Sequence, residues 1–384
     1  MDLDFDEMQL MLRTQARDFI AEKCPATLVK EVALDHSGYS EELWHSMAEL
    51  GWMGIPFPEE YGGAGMSFFE MLILLEEMGR GAVPSPYLST MLCGLAIGEF
   101  GTEEQKRKFL PRIINGELIF SLALTEPGAS LEQSDITLKA TRGSGPKYGL
   151  VGTKLFCPDA HIADNLLVAA RTSPALEENP SYGITLFITP AQDPAVLCYP
   201  QSSIGFDNQS QIEFVNLVVD EQDKLGELDQ GWSIVDKLLD WGALGKCAEM
   251  VGAANKAFEM TVDYANDRMQ YGRHIGSFQM QQHRIADMWI EMESSRNYFY
   301  EVGWRFTNGD YDPTLVSKVK AMASDMAESV TEKATLLHGA IGISWDHDLG
   351  LYFRRVRAAS LMFGDSAYHK ERIARILEAG IPQY

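Results

Sequence analysis

The sequence lacks the cysteine and histidine patterns that mark disulfide scaffolds or metal sites. Its five cysteines are scattered and odd in number, and no HExxH or CxxC pattern occurs in the 384 residues. We therefore expect no disulfide framework, no structural metal and a reducing compartment. The first ten residues, MDLDFDEMQL, are rich in acids and do not fit a signal peptide, so we expect a cytoplasmic protein.

Positive charge is scarce. The chain has 32 Lys and Arg residues against 55 Asp and Glu residues, a formal net charge of -23. Such an acidic surface repels polyanions, which argues against nucleic acid or an anionic membrane as the main partner. The most apolar window, PYLSTMLCGLAIGEF, is too short and too polar to span a bilayer. A phosphorylated small molecule stays compatible, because a few local cations or backbone N–H groups suffice to bind it.

Two common nucleotide-binding motifs are also missing. No GxGxxG pattern follows a predicted strand, and GALGKC lacks both the spacing and the Ser or Thr of a P-loop. A nicotinamide-binding Rossmann domain and a P-loop domain are therefore not expected.

The pattern of apolar residues changes twice along the chain. Residues 1–120 show mainly helical periodicity, and residues 121–230 contain short β-rich runs such as YGLVGTKLF and NLLVAAR, separated by turns. Residues 231–384 return to long helical segments with short connections. The sequence thus predicts an α+β protein with an N-terminal helical domain, a middle antiparallel β domain and a C-terminal four-helix bundle.

The segment SLALTEPGAS carries the first candidate site. Its strand ends in the turn Thr125 to Gly128, which presents a hydroxyl and successive backbone N–H groups to one spot. Such a turn suits a phosphate or the edge of a heteroaromatic ring. An ordinary strand-to-loop turn explains the same residues.

Two further segments place glycines and polar side chains beside helix ends. In DRMQYGRHIGSFQMQQHRIADM, Arg268, Tyr271, Arg273 and Gln279 surround a break between helices, which suits a pyrophosphate or adenine site. In LLHGAIGISWDHDLGLYFRR, Gly339 permits close backbone approach. The alternatives are a surface helix–loop–helix corner and a helix packing junction.

Taken together and in order, these segments resemble one family. The motifs EYGGAG, ALTEPGA, GTKLFCPDAHIADNLLVAAR, RMQYGRHIGSFQMQQHRIADM and HGAIGISWDHDLGLYFRR look like those of the acyl-CoA dehydrogenases, and the resemblance covers nearly the whole chain. It implies FAD as cofactor, oxidation of an acyl-CoA thioester to an enoyl-CoA in lipid metabolism, and an electron-transfer flavoprotein or similar acceptor.

The resemblance also implies roles for individual residues. Leu122, Leu124, Thr125, Gly128 and Ser130 would line the flavin and its pyrophosphate, and Phe156 would stand where the family has an aromatic residue against the flavin. The ADP half of an FAD bound by a neighbouring subunit would be held by Arg268, Tyr271, Gln279 and Gly339. Sites shared in this way imply a tetramer, and no metal ligand is predicted.

The family's catalytic glutamate is missing from both positions where it usually occurs. At the first position the chain has Phe363, with Asp365 two residues later, and at the second it has Gly242. Asp365 and Asp240 are the remaining candidates for the base. Asp365 also fits the N-cap of the helix that follows. Asp240 precedes the second position by two residues and so points about 160° away on a helix, which suits a structural or substrate-backbone contact.

These departures leave more than one function open. The leading hypothesis is an FAD-dependent acyl-CoA dehydrogenase with a relocated base, acting on a branched, alicyclic or steroid-derived acyl group in a homotetramer. The alternative is a non-catalytic partner subunit that completes FAD sites in a heterotetramer. Leu336 and Pro158 favour it, because they replace residues that contact the cofactor in the family. The intact Thr125, Arg268 and Gln279 favour the first hypothesis. A third hypothesis is a flavin-free acyl-CoA binding protein.

Overall fold

The computed structural model describes residues 5–128, 130–310 and 312–380. The amino-terminal part is helical, as predicted. Ser40 caps one of these helices, since its side chain accepts a hydrogen bond from the backbone N–H of Leu43 at 3.2 Å. The helices are α1 Glu7–Lys23, α2 Ala26–Leu34, α3 Glu41–Glu49, α4 Phe68–Arg80, α5 Tyr87–Phe100 and α6 Glu103–Ile114.

The middle part forms an eight-stranded sheet. Its strands are β1 Phe120–Ala123, β2 Lys139–Arg142, β3 Lys147–Pro158, β4 Asn165–Arg171, β5 Ile184–Pro190, β6 Val196–Gln201, β7 Gln209–Asp220 and β8 Lys224–Leu225. They are ordered β6-β7-β3-β2-β4-β5-β8, and β1 pairs with β4. The long strands β3 and β7 pair antiparallel, with register shifts at two places.

The sheet is mixed rather than wholly antiparallel, which corrects part of the expectation. Most neighbours run antiparallel, but β1 and β2 each pair with β4 in the parallel sense. Parallel pairing needs a crossover connection, and here the β2–β3 hairpin lies between β1 and β4 in the chain. The short runs in the sequence indicated strands but carried no information on this connection.

The carboxyl-terminal part is a helical bundle. It consists of α7 Trp232–Asp267, α8 Gln279–Thr307, α9 Pro313–His338, α10 Leu349–Ala359 and α11 Ser366–Glu378. A small hairpin, β9 Met269–Gln270 and β10 Arg273–His274, connects α7 to α8. Four of these helices match the predicted segments, and α10 is an additional helix. The central helix α9 packs against all four of the others.

Three further expectations concern absences. Within the described ranges, no helix is both long enough and apolar enough to cross a membrane. In the same part of the chain, no group of three or more His, Cys, Asp or Glu side chains could hold a metal ion. All five cysteines are free thiols.

Candidate functional site

A cavity of about 580 Å³ lies where the sheet meets the bundle. Five parts of the chain form its walls: the end of β1 with the turn after it, the end of β3, the β6–β7 connection, one residue of α7, and the end of α10 with the segment that leads into α11. Its wall residues include Leu122, Leu124, Thr125, Ser130, Phe156, Pro158, Gln201, Gln209, Leu239, Met362, Phe363, Asp365 and Tyr368. The cavity therefore brings together five of the predicted flavin residues and one candidate base.

One predicted flavin residue, Gly128, does not line the cavity. It is exposed at the tip of the turn after β1. Ala129, between the predicted residues Gly128 and Ser130, lies outside the described residues.

A buried ion pair beneath the wall fixes the turn after β1. Lys154 donates to the backbone carbonyl of Leu124 at 2.9 Å and to Glu126 Oε1 at 2.8 Å. Glu126 also accepts from the backbone N–H groups of Thr137 and Leu138. Burial raises the pKa of Glu126, but Lys154 and these donors outweigh that effect and hold it below its usual value. This pair was not predicted from the sequence, although a lysine inside an apolar strand run indicates a buried partner.

Phe156 owes its position to an irregularity in β3. The register between β3 and β7 shifts between Lys154 and Cys157, and Phe156 has a φ of 54°, in the left-handed region. A bulge of this kind turns a side chain out of the regular alternation. The ring is 51% exposed and forms part of the cavity wall, as expected for an aromatic residue that packs against a planar ligand.

Asp365 both caps a helix and lines the cavity. It begins α11, and its Oδ1 accepts a hydrogen bond from the backbone N–H of Tyr368 at 2.7 Å, so the predicted N-cap is confirmed. The same side chain is exposed and lines the cavity. A cap uses one carboxylate oxygen, which leaves the other for a ligand in the cavity.

Two buried side chains fix the segment that carries Asp365. Lys320 on α9 donates to the backbone carbonyls of Ser360 at 2.9 Å and Gly364 at 2.8 Å. His369 donates from Nε2 to the carbonyl of Phe363 at 2.9 Å. Burial, with the nearby Lys320 charge, lowers the pKa of His369 to about 3, so its ring is neutral. Neither residue was predicted from the sequence, although Lys320 falls on the buried stripe of α9.

Asp240 lies elsewhere. Its side chain is 2% exposed and its Oδ1 accepts a hydrogen bond from Arg372 at 2.7 Å. Asp236, one turn earlier on α7, shares the same guanidinium at 3.1 Å. Burial is the largest single effect on Arg372 and lowers its pKa. The neighbouring carboxylates together outweigh it, so that the pKa lies above its usual value. Asp240 is not part of the cavity wall, and this geometry favours a structural contact over a base.

The remaining predicted residues lie at the far ends of the bundle helices. Arg268 caps α7, Tyr271 lies in the β9–β10 hairpin and is 94% exposed, and Gln279 begins α8. Gly339 ends α9 with a φ of 69°. None of the four belongs to the cavity of the same chain. The ring of His338, next to Gly339, stacks on Tyr264 at a centroid distance of 4.2 Å, which holds the ends of α9 and α7 together.

Comparison with known proteins identifies the class. Residues 6–117 match the model of the acyl-CoA dehydrogenase N-terminal domain and residues 229–378 match that of the C-terminal domain. The chain therefore belongs to the acyl-CoA dehydrogenase family, FAD-dependent oxidoreductases that act on CH–CH groups.

Three similar proteins show the range of the family. The chain is 30% identical to "Caffeyl-CoA reductase-Etf complex subunit CarC" of Acetobacterium woodii, over 97% of this chain and 99% of that one. It is 29% identical to butyryl-CoA dehydrogenase from Megasphaera elsdenii, with a TM-score of 0.91 over 98% and 100% of the two chains. It is 25% identical to a chain of the ChsE4-ChsE5 complex from Mycobacterium tuberculosis, with a TM-score of 0.89 over 100% of both.

The cavity fits the ring system of the family cofactor. A flavin needs apolar contact on its faces and hydrogen-bonding groups at its edge. The wall supplies Leu122, Leu124 and Phe156 for the faces. On the same wall, the buried Oε1 atom of Gln201 has no hydrogen-bond partner in the described residues. Buried polar atoms without a partner are costly, which is consistent with a wall that receives a polar ligand.

Proposed function

We propose that this chain oxidises an acyl-CoA thioester to the enoyl-CoA, with FAD as cofactor and Asp365 as the base that removes the Cα proton. The observation that carries the proposal is the composition of one cavity wall. Thr125 and Phe156, which the family resemblance assigns to the flavin, line the same cavity as the carboxylate of Asp365. These residues come from three segments that lie far apart in the chain.

The chemistry requires a carboxylate at this place. A thioester acidifies the adjacent Cα–H bond, and a positioned carboxylate accepts the proton. Hydrogen bonds to the thioester carbonyl stabilise the negative charge that develops on its oxygen. FAD, when bound, supplies the acceptor for the hydride that leaves the β-carbon.

The acyl group is proposed to be non-standard: branched, alicyclic or steroid-derived. Phe363 occupies the position of the usual glutamate, and Asp365 is a shorter acid two residues away. A base displaced in this way meets the Cα–H of a substrate that is itself displaced from the common position. The cavity of about 580 Å³ has room for a bulky group beside a flavin ring.

The proposed partners are a second subunit and an electron acceptor. Tyr271 and Leu336 are 94% and 65% exposed, which supports their burial against a neighbouring chain in a tetramer. The predicted contacts of Arg268, Gln279 and Gly339 with the ADP half of FAD would form across that interface. The related Caffeyl-CoA reductase-Etf complex subunit supports an electron-transfer flavoprotein as the acceptor.

The test is the absorption spectrum of the purified oligomer before and after anaerobic addition of a panel of acyl-CoA thioesters. We expect a bound flavin that one branched or alicyclic thioester bleaches. Asp365→Asn should keep the flavin and the fold but abolish bleaching. If Asp365→Asn is bleached as fast as the parent protein, Asp365 is not the base.

A second candidate function is a non-catalytic partner subunit, and one observation favours it. The ring of Phe363 fills the space beside Gly242, so the two positions where the family has its glutamate are both closed to a carboxylate. The ChsE4-ChsE5 complex supplies a precedent for two unlike chains in this family. Co-expression with a neighbouring acyl-CoA dehydrogenase chain distinguishes the two. A 1:1 complex that is bleached only when the other chain has its own glutamate supports the second function.

A further inference from the structure

A smaller cavity of about 80 Å³ adjoins the large one, and we call it the polar annexe. It is lined by Asp159, Asp207, Gln209, Lys246, Glu249 and Arg355, together with apolar residues of the α4–α5 connection. The two cavities share five wall residues, namely Pro158, Asp207, Gln209, Met362 and Phe363. The annexe therefore adjoins the large cavity at these residues, Phe363 among them.

Charged side chains are unusual in a cavity that receives an apolar chain. Lys246 and Glu249 form an ion pair at 2.7 Å, and Asp159 is bonded to Ser89 at 3.0 Å. Arg355 differs from them, because its one hydrogen bond to a described residue goes to the backbone carbonyl of Val83 at 3.1 Å. Its guanidinium has five N–H donors, so donors stay available toward a ligand.

Gln209 supplies an unused acceptor at the boundary of the two cavities. Its side chain is buried, with 8% exposed, and its Oε1 has no partner in the described residues. The amide orientation is fixed, since Nε2 donates to Asp207 Oδ2 at 2.7 Å and a carboxylate oxygen cannot donate in return. The side-chain carbonyl oxygen is therefore the acceptor that has no donor among the described residues.

We propose that the polar annexe binds a hydroxyl group carried by the acyl part of the CoA thioester, which rests on the proposed function. A hydroxyl both donates and accepts, so it can use the unpaired Oε1 of Gln209 and a free N–H of Arg355. A carboxylate is disfavoured, because acidic side chains outnumber basic ones in the same wall by three to two. The CoA moiety is excluded by size, since the annexe holds only a few non-hydrogen atoms.

Sites built to bond a substrate hydroxyl reject the analogue that lacks it, because their buried polar groups are then left unpaired. The experiment measures dissociation constants by calorimetry on the FAD-containing oligomer. The probes are hexanoyl-CoA, its 4-, 5- and 6-hydroxy derivatives, and adipoyl-CoA, which carries a carboxylate. We expect one hydroxy derivative to bind at least tenfold more tightly than hexanoyl-CoA.

Variants link the preference to the annexe. Arg355→Gln and Gln209→Leu should each bring the hydroxy derivative to within twofold of hexanoyl-CoA. Arg355 is not part of the large cavity wall, so Arg355→Gln should leave hexanoyl-CoA binding the same. Arg355→Lys keeps the charge and should retain part of the preference, which guards against misfolding of the other variants. Arg107→Gln on the exposed face of α6 is the matched control and should change nothing.

The outcomes separate this inference from the proposed function. If hexanoyl-CoA and all hydroxy derivatives bind within twofold of one another, the annexe holds only water and the inference fails, while the dehydrogenase function stands. Tightest binding of adipoyl-CoA also overturns it, in favour of a carboxylate ligand. If no thioester binds at all, the proposed function fails as well.

Discussion

The ring of Phe363 occupies the space into which a side chain at Gly242 would project. A Cβ atom built on Gly242 would lie 2.4 Å from Phe363 Cε1, closer than any normal contact. The two residues are 121 positions apart, yet they are the two positions that the family resemblance predicts for the catalytic glutamate. Closure of both at once is therefore a single structural feature of this chain.

This contact predicts the effect of Gly242→Ala. The added methyl group overpacks the site, which we expect to lower the free energy of unfolding by about 1–3 kcal/mol. In the Phe363→Ala background the same change should cost nothing, because the ring is gone. Chemical denaturation of the four proteins measures this. Gly98→Ala on α5 is the control, since its Cβ would meet nothing within 4 Å. If Gly242→Ala lowers stability equally with and without the Phe363 ring, the packing explanation is wrong.

Substitutions of Asp365 separate its two roles. Asn caps a helix about as well as Asp, whereas Ala does not, so Asp365→Ala should lose about 1 kcal/mol of stability and Asp365→Asn close to none. Both should lower the rate of flavin bleaching by about 10²–10⁴-fold, as loss of a general base does. Thermal denaturation and anaerobic stopped-flow spectroscopy measure the two effects. If Asp365→Asn is bleached as fast as the parent protein and only Asp365→Ala is slower, Asp365 acts as a helix cap and not as the base.

Asp240→Asn tests the structural assignment of that residue. Removal of its charge leaves the largely buried Arg372 with Asp236 alone, and loss of one partner of a buried pair costs about 3–5 kcal/mol. Asp236→Asn on the same helix is the matched control, because Asp236 is 40% exposed and should cost less than about 1 kcal/mol. If Asp240→Asn is fully stable but no longer bleached by any thioester, Asp240 acts in catalysis instead.

Lys320 predicts a dependence of stability on pH. Burial lowers its pKa to about 8 in the folded protein, from its ordinary value of 10.5. Between these two values the unfolded chain binds more protons than the folded one, so the contribution of this group to the free energy of unfolding rises with pH. The stability of the parent protein minus that of Lys320→Met should therefore increase from pH 7.5 to pH 10.5. Urea titrations at several pH values measure it, and a flat or falling difference would show that the amine is not desolvated.

Sequence patterns predicted the local features well. The caps at Ser40 and Asp365 are present, because a cap depends on residues within one turn of each other. The helical periodicity of the first domain did not indicate which side chains of α1 are buried. Ala16 and Ile20 are buried, but Met8 and Met11 are 56% and 60% exposed. Periodicity shows which residues share a face and does not show how far along the helix its packing partner extends.

At the candidate site, the residues of the cavity wall were predictable from the sequence and the buried contacts beneath them were not. Family motifs led to Thr125 and Phe156 on the cavity wall, and both are there. They gave no indication of the network below the wall, in which Lys154 reaches Glu126, nor of Lys320 beneath the segment that carries Asp365. Those contacts join residues 28 and 44 positions apart, and no local spacing rule connects them.

The sequence by itself determined the succession of helices, strands and helices, the caps, the acidic surface and the family, because each depends on composition or on residues near one another in the chain. Tertiary structure alone decided that Phe363 closes the space at Gly242, that Arg372 neutralises Asp240, and that Gln209 and Arg355 meet at one polar annexe. Burial and pairing of polar groups depend on which distant surfaces pack together, and packing is a property of the whole fold.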